Sequence, residues 1–192
     1  LTSKQALKTP TFWFFFIFMV LLTGTLAFAS IVPTLAIEAG FDTVTSGFAM
    51  TAYMIGTAIA AVVFGTISDK LGPLKATMVA CACGFIALLG LIFFGSLFFY
   101  GCLSATLGVI GPLVLGTLFG QKEFGSIYGI VMMATGIGSM ILIPAYGFIY
   151  DATGSFTPAL IMIFCFIVVC LISMIMAFKT GKKVQAMWMP KA

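Results

Sequence analysis

Side chains able to do chemistry are concentrated in one charged hairpin, Gly65-Thr-Ile-Ser-Asp69-Lys70-Leu-Gly72-Pro73-Leu-Lys75. Gly65 and Asp69 stand four apart, so on a helix they share a face, one turn from each other. A glycine there admits a second backbone, and a carboxylate one turn on meets the positive end of a neighbouring helix. Gly72 and Pro73 are the residue types that stop one helix and start the next. The chemistry on offer is a contact that holds or releases a helix end, not bond making.

Bond-making chemistry lacks its parts. The chain has no histidine, so a serine nucleophile would have no imidazole base. An aspartyl dyad needs two carboxylates side by side. Asp69 and Asp151 fall at opposite ends of the apolar runs, a bilayer of roughly 30 Å apart. The five cysteines all lie in apolar runs without a C-x-x-C pair, and read as small buried hydrophobes. The sequence thus calls for no enzyme, no metal and no cofactor.

The elements around the hairpin are membrane spans. Of 192 residues, 62% are hydrophobic and 7% charged, against about 25% charged in soluble domains. At about 20 residues per span, the chain has room for roughly six. The fold class expected is an all-α membrane protein with spans near residues 11–37, 44–68, 74–94, 97–119, 126–149 and 159–178. Residues 1–10 read as a linker and 179–192 as a tail. Thr9-Pro10 and Thr157-Pro158 are helix starts. Pro33 predicts a kink near the far end of the first span, and Gly95-Ser96 a tight turn.

Six spans put both termini on one side, with the turns at 69–75 and 120–125. All nine lysines then fall on that side. Glu38, Asp42 and Asp151 are left to the other. Lysine excess marks cytoplasmic loops, so both termini are expected in the cytoplasm. The net charge of +4 belongs to those loops and does not point to nucleic acid. Glycines crowd the fourth and fifth spans, while the sixth is almost wholly large and apolar. Small residues permit close helix packing in lipid. The fourth and fifth spans, with parts of the first two, are therefore expected to pack centrally or line a cavity, and the sixth and much of the third to face lipid.

The pattern G-x-x-x-D-K-x-G-x-x-K resembles the signature loop of the major facilitator superfamily, found after the second span of each six-span half. Three further stretches are similar to its oxalate/formate antiporter and monocarboxylate carrier branch: Ala6–Trp13, Leu118–Gly129 and Pro144–Gly154, the last with Pro144, Gly147, Asp151 and Gly154 in an outer-turn motif. The resemblance implies a C-terminal half, spans seven to twelve, of a twelve-span carrier. It also implies alternating access, an N-terminal half as partner, and the plasma (inner) membrane of a bacterium. Gly65, Asp69, Lys70, Gly72 and Lys75 would form the conformational switch. Oxalate-type carriers put an arginine four residues ahead of the signature's first glycine, which is Ala61 here. They put a lysine seven residues after the tyrosine of Tyr128-Gly129, which is Thr135 here. Any charge for a dianion would then come from the other half.

No charged residue sits mid-span in any of the six. Buried charges usually mark ion or proton paths in membranes, so this chain supplies no proton-relay carboxylate. What remains to line a substrate cavity is neutral: Thr25, Tyr53, Thr57, Ala61, Met132 and Thr135, with Thr23, Ser30, Ser104, Thr106 and Ser139 nearby. The ordinary fate of any one hydroxyl is a bond back to its own helix. Only as a set do they suggest a site for a small organic solute, by resemblance a small carboxylate. The competing readings are a permease subunit driven by a separate ATPase, or a channel.

Overall fold

The computed structural model describes residues 2–38, 40–89 and 93–188, and these are helical almost throughout. The helices are α1 (Ser3–Leu7), α2 (Pro10–Ala27), α3 (Val32–Glu38), α4 (Thr43–Leu71), α5 (Pro73–Leu88), α6 (Phe93–Ala105), α7 (Gly111–Phe119), α8 (Phe124–Thr153) and α9 (Thr157–Trp188). Their starts follow from local chemistry. Thr9 caps α2, its hydroxyl accepting from the Phe12 N–H, with Pro10 as first helical residue. The Asp42 carboxylate caps α4, accepting from the Val44 and Thr45 N–H groups and the Thr45 hydroxyl. That hydroxyl, ahead of the backbone donors, holds the Asp42 carboxyl below its ordinary range. Gly72 ends α4 and opens α5 at φ 88° and ψ 156°, a conformation essentially confined to glycine.

Two long elements are broken where proline withholds a donor. Ahead of Pro33, residues Phe28–Ser30 tighten into a 3-10 turn, so the kink expected there is present. The second break, a π turn over Thr106–Ile110, joins α6 to α7 just ahead of Pro112. It was not foreseen. Pro112 cannot donate to the Gly108 carbonyl, and the Gly111 N–H reaches back to Thr106. One extra residue per turn absorbs the mismatch.

α2 lies between α8 and α9, and α4 packs along α6, with α5 between α6 and α9. Thr11 on α2 bonds Thr180 on α9 through their hydroxyls at 2.9 Å, so those two run antiparallel. Gly101 on α6 backs onto Tyr53 of α4, and Val109 faces Gly65 further along, so α4 and α6 run parallel. Ser3 bonds Glu123, and Gln185 of α9 bonds the Thr117 carbonyl. These pairings gather every described lysine, from Lys4 and Lys8 through Lys70, Lys75 and Lys122 to Lys179, Lys182 and Lys183, at one end of the bundle. Asp42 and Asp151 lie at the other.

Several boundaries differ from the expectation. Gly95 and Ser96 lie inside α6; the connection from α5 falls at 89–92, of which residues 90–92, with Gly90, lie outside the described residues. The first ten residues are not merely a linker, since α1 docks on α2 and α8. Nor does the chain leave the bundle at residue 178: α9 runs on to Trp188, with Gly181 pressed against Leu118 and Thr11. Lys191 lies outside the described residues.

Burial divides the spans expected to pack centrally or line a cavity. The apolar windows of α2 and of α6–α7 are each 56% buried, but those of α4 and α8 only 22%. Most α8 glycines line open space: a Cβ added at Gly129, Gly136 or Gly147 would meet nothing within 4 Å. The close approach on α8 is at Gly138, where an added Cβ would overlap the Val20 carbonyl of α2; other backbone approaches are at Gly56 and Gly101, between α4 and α6. α9, at 33%, turns a stripe of Ala159, Ile163, Ile167, Cys170, Met174 and Ala177 inward. Of the cysteines, Cys81, Cys102 and Cys170 are buried as expected, but Cys165 is exposed.

Among the described residues, five helical segments are long and apolar enough to cross a membrane: Pro10–Thr34, Thr43–Leu71, Ser96–Phe119, Phe124–Thr153 and Thr157–Ala186. α5 is apolar but has 16 residues, about 24 Å at 1.5 Å per residue.

Candidate functional site

The hairpin has the shape its residues predict. α4 carries Gly65, Asp69 and Lys70 to its last turn, Gly72 reverses the chain, and Lys75 rides the first turn of α5. Asp69, Lys70 and Lys75 are all exposed, and Gly65 and Gly72 half-buried. A Cβ added at Gly65 would touch only Val109, at an ordinary 3.9 Å. The described residues therefore supply no backbone close to Gly65.

A second group forms where α4 and α6 meet. A Cβ at Gly56 would overlap the Phe98 carbonyl, and one at Gly101 the Tyr53 carbonyl. Glycine at both positions lets the two backbones touch. That contact brings the Thr57 hydroxyl within 2.7 Å of the Ser104 hydroxyl. Thr57 Oγ1 also lies 3.0 Å from the Tyr53 carbonyl and 3.2 Å from the Gly101 carbonyl. Ser104 Oγ donates to the Gly101 carbonyl at 2.6 Å. Tyr53 lies against Tyr100, ring centroids 6.2 Å apart, and the Tyr100 hydroxyl donates to the Thr25 carbonyl. Thr25, Tyr53 and Thr57 are thus brought together, and Ala61 sits one turn beyond Thr57.

The α8 candidates stand apart from that group. Met132 and Thr135 are half-buried, and the Thr135 hydroxyl returns to the Met132 carbonyl of its own helix at 2.7 Å. Ser139 does the same with Thr135, and Ser30 with Ala27. Pro144, Gly147 and Asp151 occupy one exposed face near the C-terminal end of α8, and Gly154 closes the helix, its N–H on the Tyr150 carbonyl at 2.7 Å.

Three features escaped the sequence reading. Tyr146, fully buried, donates its hydroxyl to the Gly24 carbonyl at 2.9 Å. The 3-10 turn explains why: the Phe28 N–H turns to Thr25, three residues back, instead of to Gly24. The hydroxyls of Thr23, Thr25 and Thr106, all buried, have no hydrogen-bond partner among the described residues. Glu123 accepts from the Ser3 hydroxyl at 2.6 Å and its N–H at 2.7 Å. The first of these, then the second, holds its carboxyl below the ordinary range. The available signals were a tyrosine in each of two apolar runs and Pro112 after Gly108.

Long apolar helices, one charged end and a face of neutral hydroxyls define a polytopic integral membrane protein of the transporter kind. No cluster of His, Cys, Asp or Glu able to hold a metal exists among the described residues. The chain matches the Major Facilitator Superfamily over residues 13–187, nearly its full length, and belongs to that family. It is therefore a membrane transport protein, of a family whose members are not in general enzymes. No curated protein matches the chain.

Proposed function

We propose that this chain is the C-terminal, six-span half of a twelve-span secondary carrier that moves a small organic solute, by resemblance a small carboxylate, by alternating access. Both termini and the hairpin face the cytoplasm of a bacterium, in the plasma (inner) membrane, and exchange of the solute is the expected mode. α5 belongs to the third span, read from the sequence as residues 74–94. The family match carries the reading. The common end of the described lysines supports the orientation, because lysine excess marks the cytoplasmic side.

In this reading the open faces of α4 and α8 meet the N-terminal half, and the two halves rock about a site between them. Gly65, half-buried and uncrowded, gives that half room to approach. Asp69 then stabilises a helix N-terminus on it, and Lys70 and Lys75 flank the contact. Thr25, Tyr53, Thr57, Ala61, Met132 and Thr135 line this half's side of the substrate path. Pro144, Gly147, Asp151 and Gly154 shape its outer mouth.

The test is Asp69→Asn in the full-length protein, reconstituted into vesicles. Uptake is expected to fall about five- to thirtyfold, since one lost helix-end contact of about 1–2 kcal/mol shifts the switching equilibrium that far. Yield in the membrane should stay at the wild-type level. Uptake at the wild-type rate would remove Asp69 from the switch. Unsaturable conductance by the wild type would favour a channel instead.

A further inference from the structure

We infer that the lysine-bearing end of α9 docks one anionic phospholipid, its headgroup on Lys179, Lys182 and Lys183 and an acyl chain along Val168, Ile172 and Met176. The inference needs only the membrane setting that the family match gives, whatever solute is carried. α9 leaves Ile161, Phe164, Val168, Ile172 and Met176 exposed. They stand three and four apart, which is one face of a helix. Lys179 is eighteen positions from Ile161, and Lys182 eighteen from Phe164. At 3.6 residues per turn each interval is five whole turns. Lys183 follows Lys179 by four. The three lysines therefore continue the apolar stripe, and all three are exposed. From Ile161 to Lys179 the helix rises about 27 Å, close to the roughly 30 Å of bilayer hydrocarbon. The ammonium groups thus begin at the depth of lipid phosphates, and Val168–Met176 spans the leaflet beside them.

The neighbours of α9 take its other face: Ile167 packs on Gly84 of α5, and the Cys170 thiol reaches the Phe18 carbonyl of α2. A second copy laid on the stripe in the same orientation would set lysine against lysine. Charge then decides among lipids. α9 carries no Asp or Glu. Lys179 stands three from Lys182 and four from Lys183, spacings at which like charges repel. The carboxylates at this end are Asp69 on α4 and Glu123, which Ser3 engages. Relief of that repulsion comes from outside the helix. A zwitterionic headgroup brings as much positive charge as negative. A phosphodiester with an uncharged polar head, as in phosphatidylglycerol, brings a net negative charge, and its oxygens accept from ammonium groups with three donors each. A free phosphate brings the charge but no chain for the stripe. The lipid fastens an end that already joins elements, since Gly181 presses on Leu118 and Thr11, and Gln185 bonds the Thr117 carbonyl.

The experiment places the full-length protein in phosphatidylcholine vesicles with a trace of phosphatidylglycerol bearing a photoreactive diazirine on one acyl chain. A parallel sample holds phosphatidylcholine with the same photoreactive chain, and labelled peptides are mapped by mass spectrometry. Label is expected on α9 between Val168 and Met176. The phosphatidylglycerol probe should label that stretch at least about fivefold more than its phosphatidylcholine twin, the worth of one lysine beside an anionic headgroup. Lys179→Gln, Lys182→Gln and Lys183→Gln together should bring the ratio below about twofold, and the same three changes to Arg should keep it. Added glycerol 3-phosphate should leave the labelling unchanged. A wild-type ratio near one, an undiminished ratio in the glutamine variant, or label that maps away from α9 would overturn the inference. Loss of label on adding glycerol 3-phosphate would overturn it too, by showing a site for a free anion. The wild-type ratio involves no substitution, so a glutamine variant that fails to insert leaves the test intact. Solute uptake in the same vesicles reports separately on the carrier reading.

Discussion

Two helical segments in this chain are nearly alike in hydropathy and opposite in fate. α6–α7 and α8 have mean hydropathies of 1.9 and 1.8, yet 56% of the first is buried and 22% of the second. α2 shares the fate of α6–α7, and α4 that of α8. α4 leaves Val44, Phe48, Ile55 and Val62 exposed, and α8 leaves Met133, Met140 and Phe148. Hydropathy selects the segments that leave water, because acyl chains and protein interiors are equally apolar. It says nothing about which neighbour covers them. Backbone fit sets which face of a helix is covered, at Gly56 and Gly101 where α4 meets α6 and at Gly138 where α8 meets α2. Glycine by itself is therefore a poor guide: it is essential at Gly101 and open to solvent or lipid at Gly136.

Substituting those two glycines tests the contrast directly, with the largest effect expected in the molecule. Gly101→Ala drives a methyl into the Tyr53 carbonyl and against the Thr57 N–H, and backbone cannot move aside as a side-chain tip can. A loss of about 3 kcal/mol is expected, the upper range for overpacking. It should be read as a lowered unfolding midpoint in detergent. Gly136→Ala adds a methyl into open space and should be neutral to stabilising by up to about 1 kcal/mol, through helix propensity and a less flexible unfolded chain. Equal effects at the two sites would mean that the α4–α6 contact is not the one described.

Tyr146→Phe separates the regions on a second scale. Its ring is fully buried against Phe28, centroids 5.3 Å apart, and its hydroxyl serves the Gly24 carbonyl. Phenylalanine keeps the ring and leaves that carbonyl without its donor. The expected loss is about 1–2 kcal/mol, the cost of one unsatisfied buried acceptor. Tyr128→Phe, at a half-buried position stacked on Phe124, should change the midpoint by less than about 0.5 kcal/mol. A larger loss at Tyr128 than at Tyr146 would show that the α2–α8 contact contributes less than the bond implies.

These two experiments also mark where sequence reading succeeds. Local chemistry was legible. Thr9-Pro10, Gly72-Pro73 and the bend ahead of Pro33 are written in residues that act on their own backbone, and the helices begin and end accordingly. The gathering of lysines at one end follows from counting apolar runs. Contacts between distant residues were not legible. Nothing near Tyr146 announces Gly24, 122 positions away, because the carbonyl becomes available only once the 3-10 turn redirects the Phe28 donor. The glycines of α8 suggested a central helix because residue type reports what packing is possible, not which packing occurs. Thr57 was legible as a polar side chain and illegible as Ser104's partner, since that pairing needs the two glycine contacts first.

The smallest effect expected lies outside the spans and turns on pH. α1 is held at the start of α8 by the Ser3 hydroxyl and N–H on the Glu123 carboxylate. Those donors favour the ionised form, so the folded carboxyl titrates below its ordinary 4.5. Its contribution to docking is complete above about pH 4.5, where the undocked carboxyl would also be ionised, and disappears as pH falls through the lower, docked value. Hydrogen exchange of the Ser3–Leu7 amides should therefore be slow and constant from neutral pH down to the carboxylate range, after correction for the intrinsic pH dependence of exchange. Protection should be lost below it. Glu123→Ala should abolish protection at neutral pH as well, while the α2 amides keep theirs, because the Thr9 cap and the Thr11–Thr180 bond do not involve Glu123. Protection of α1 that survives Glu123→Ala would mean that Trp13, donating to the Leu7 carbonyl at 3.1 Å, is enough to keep the first helix in place.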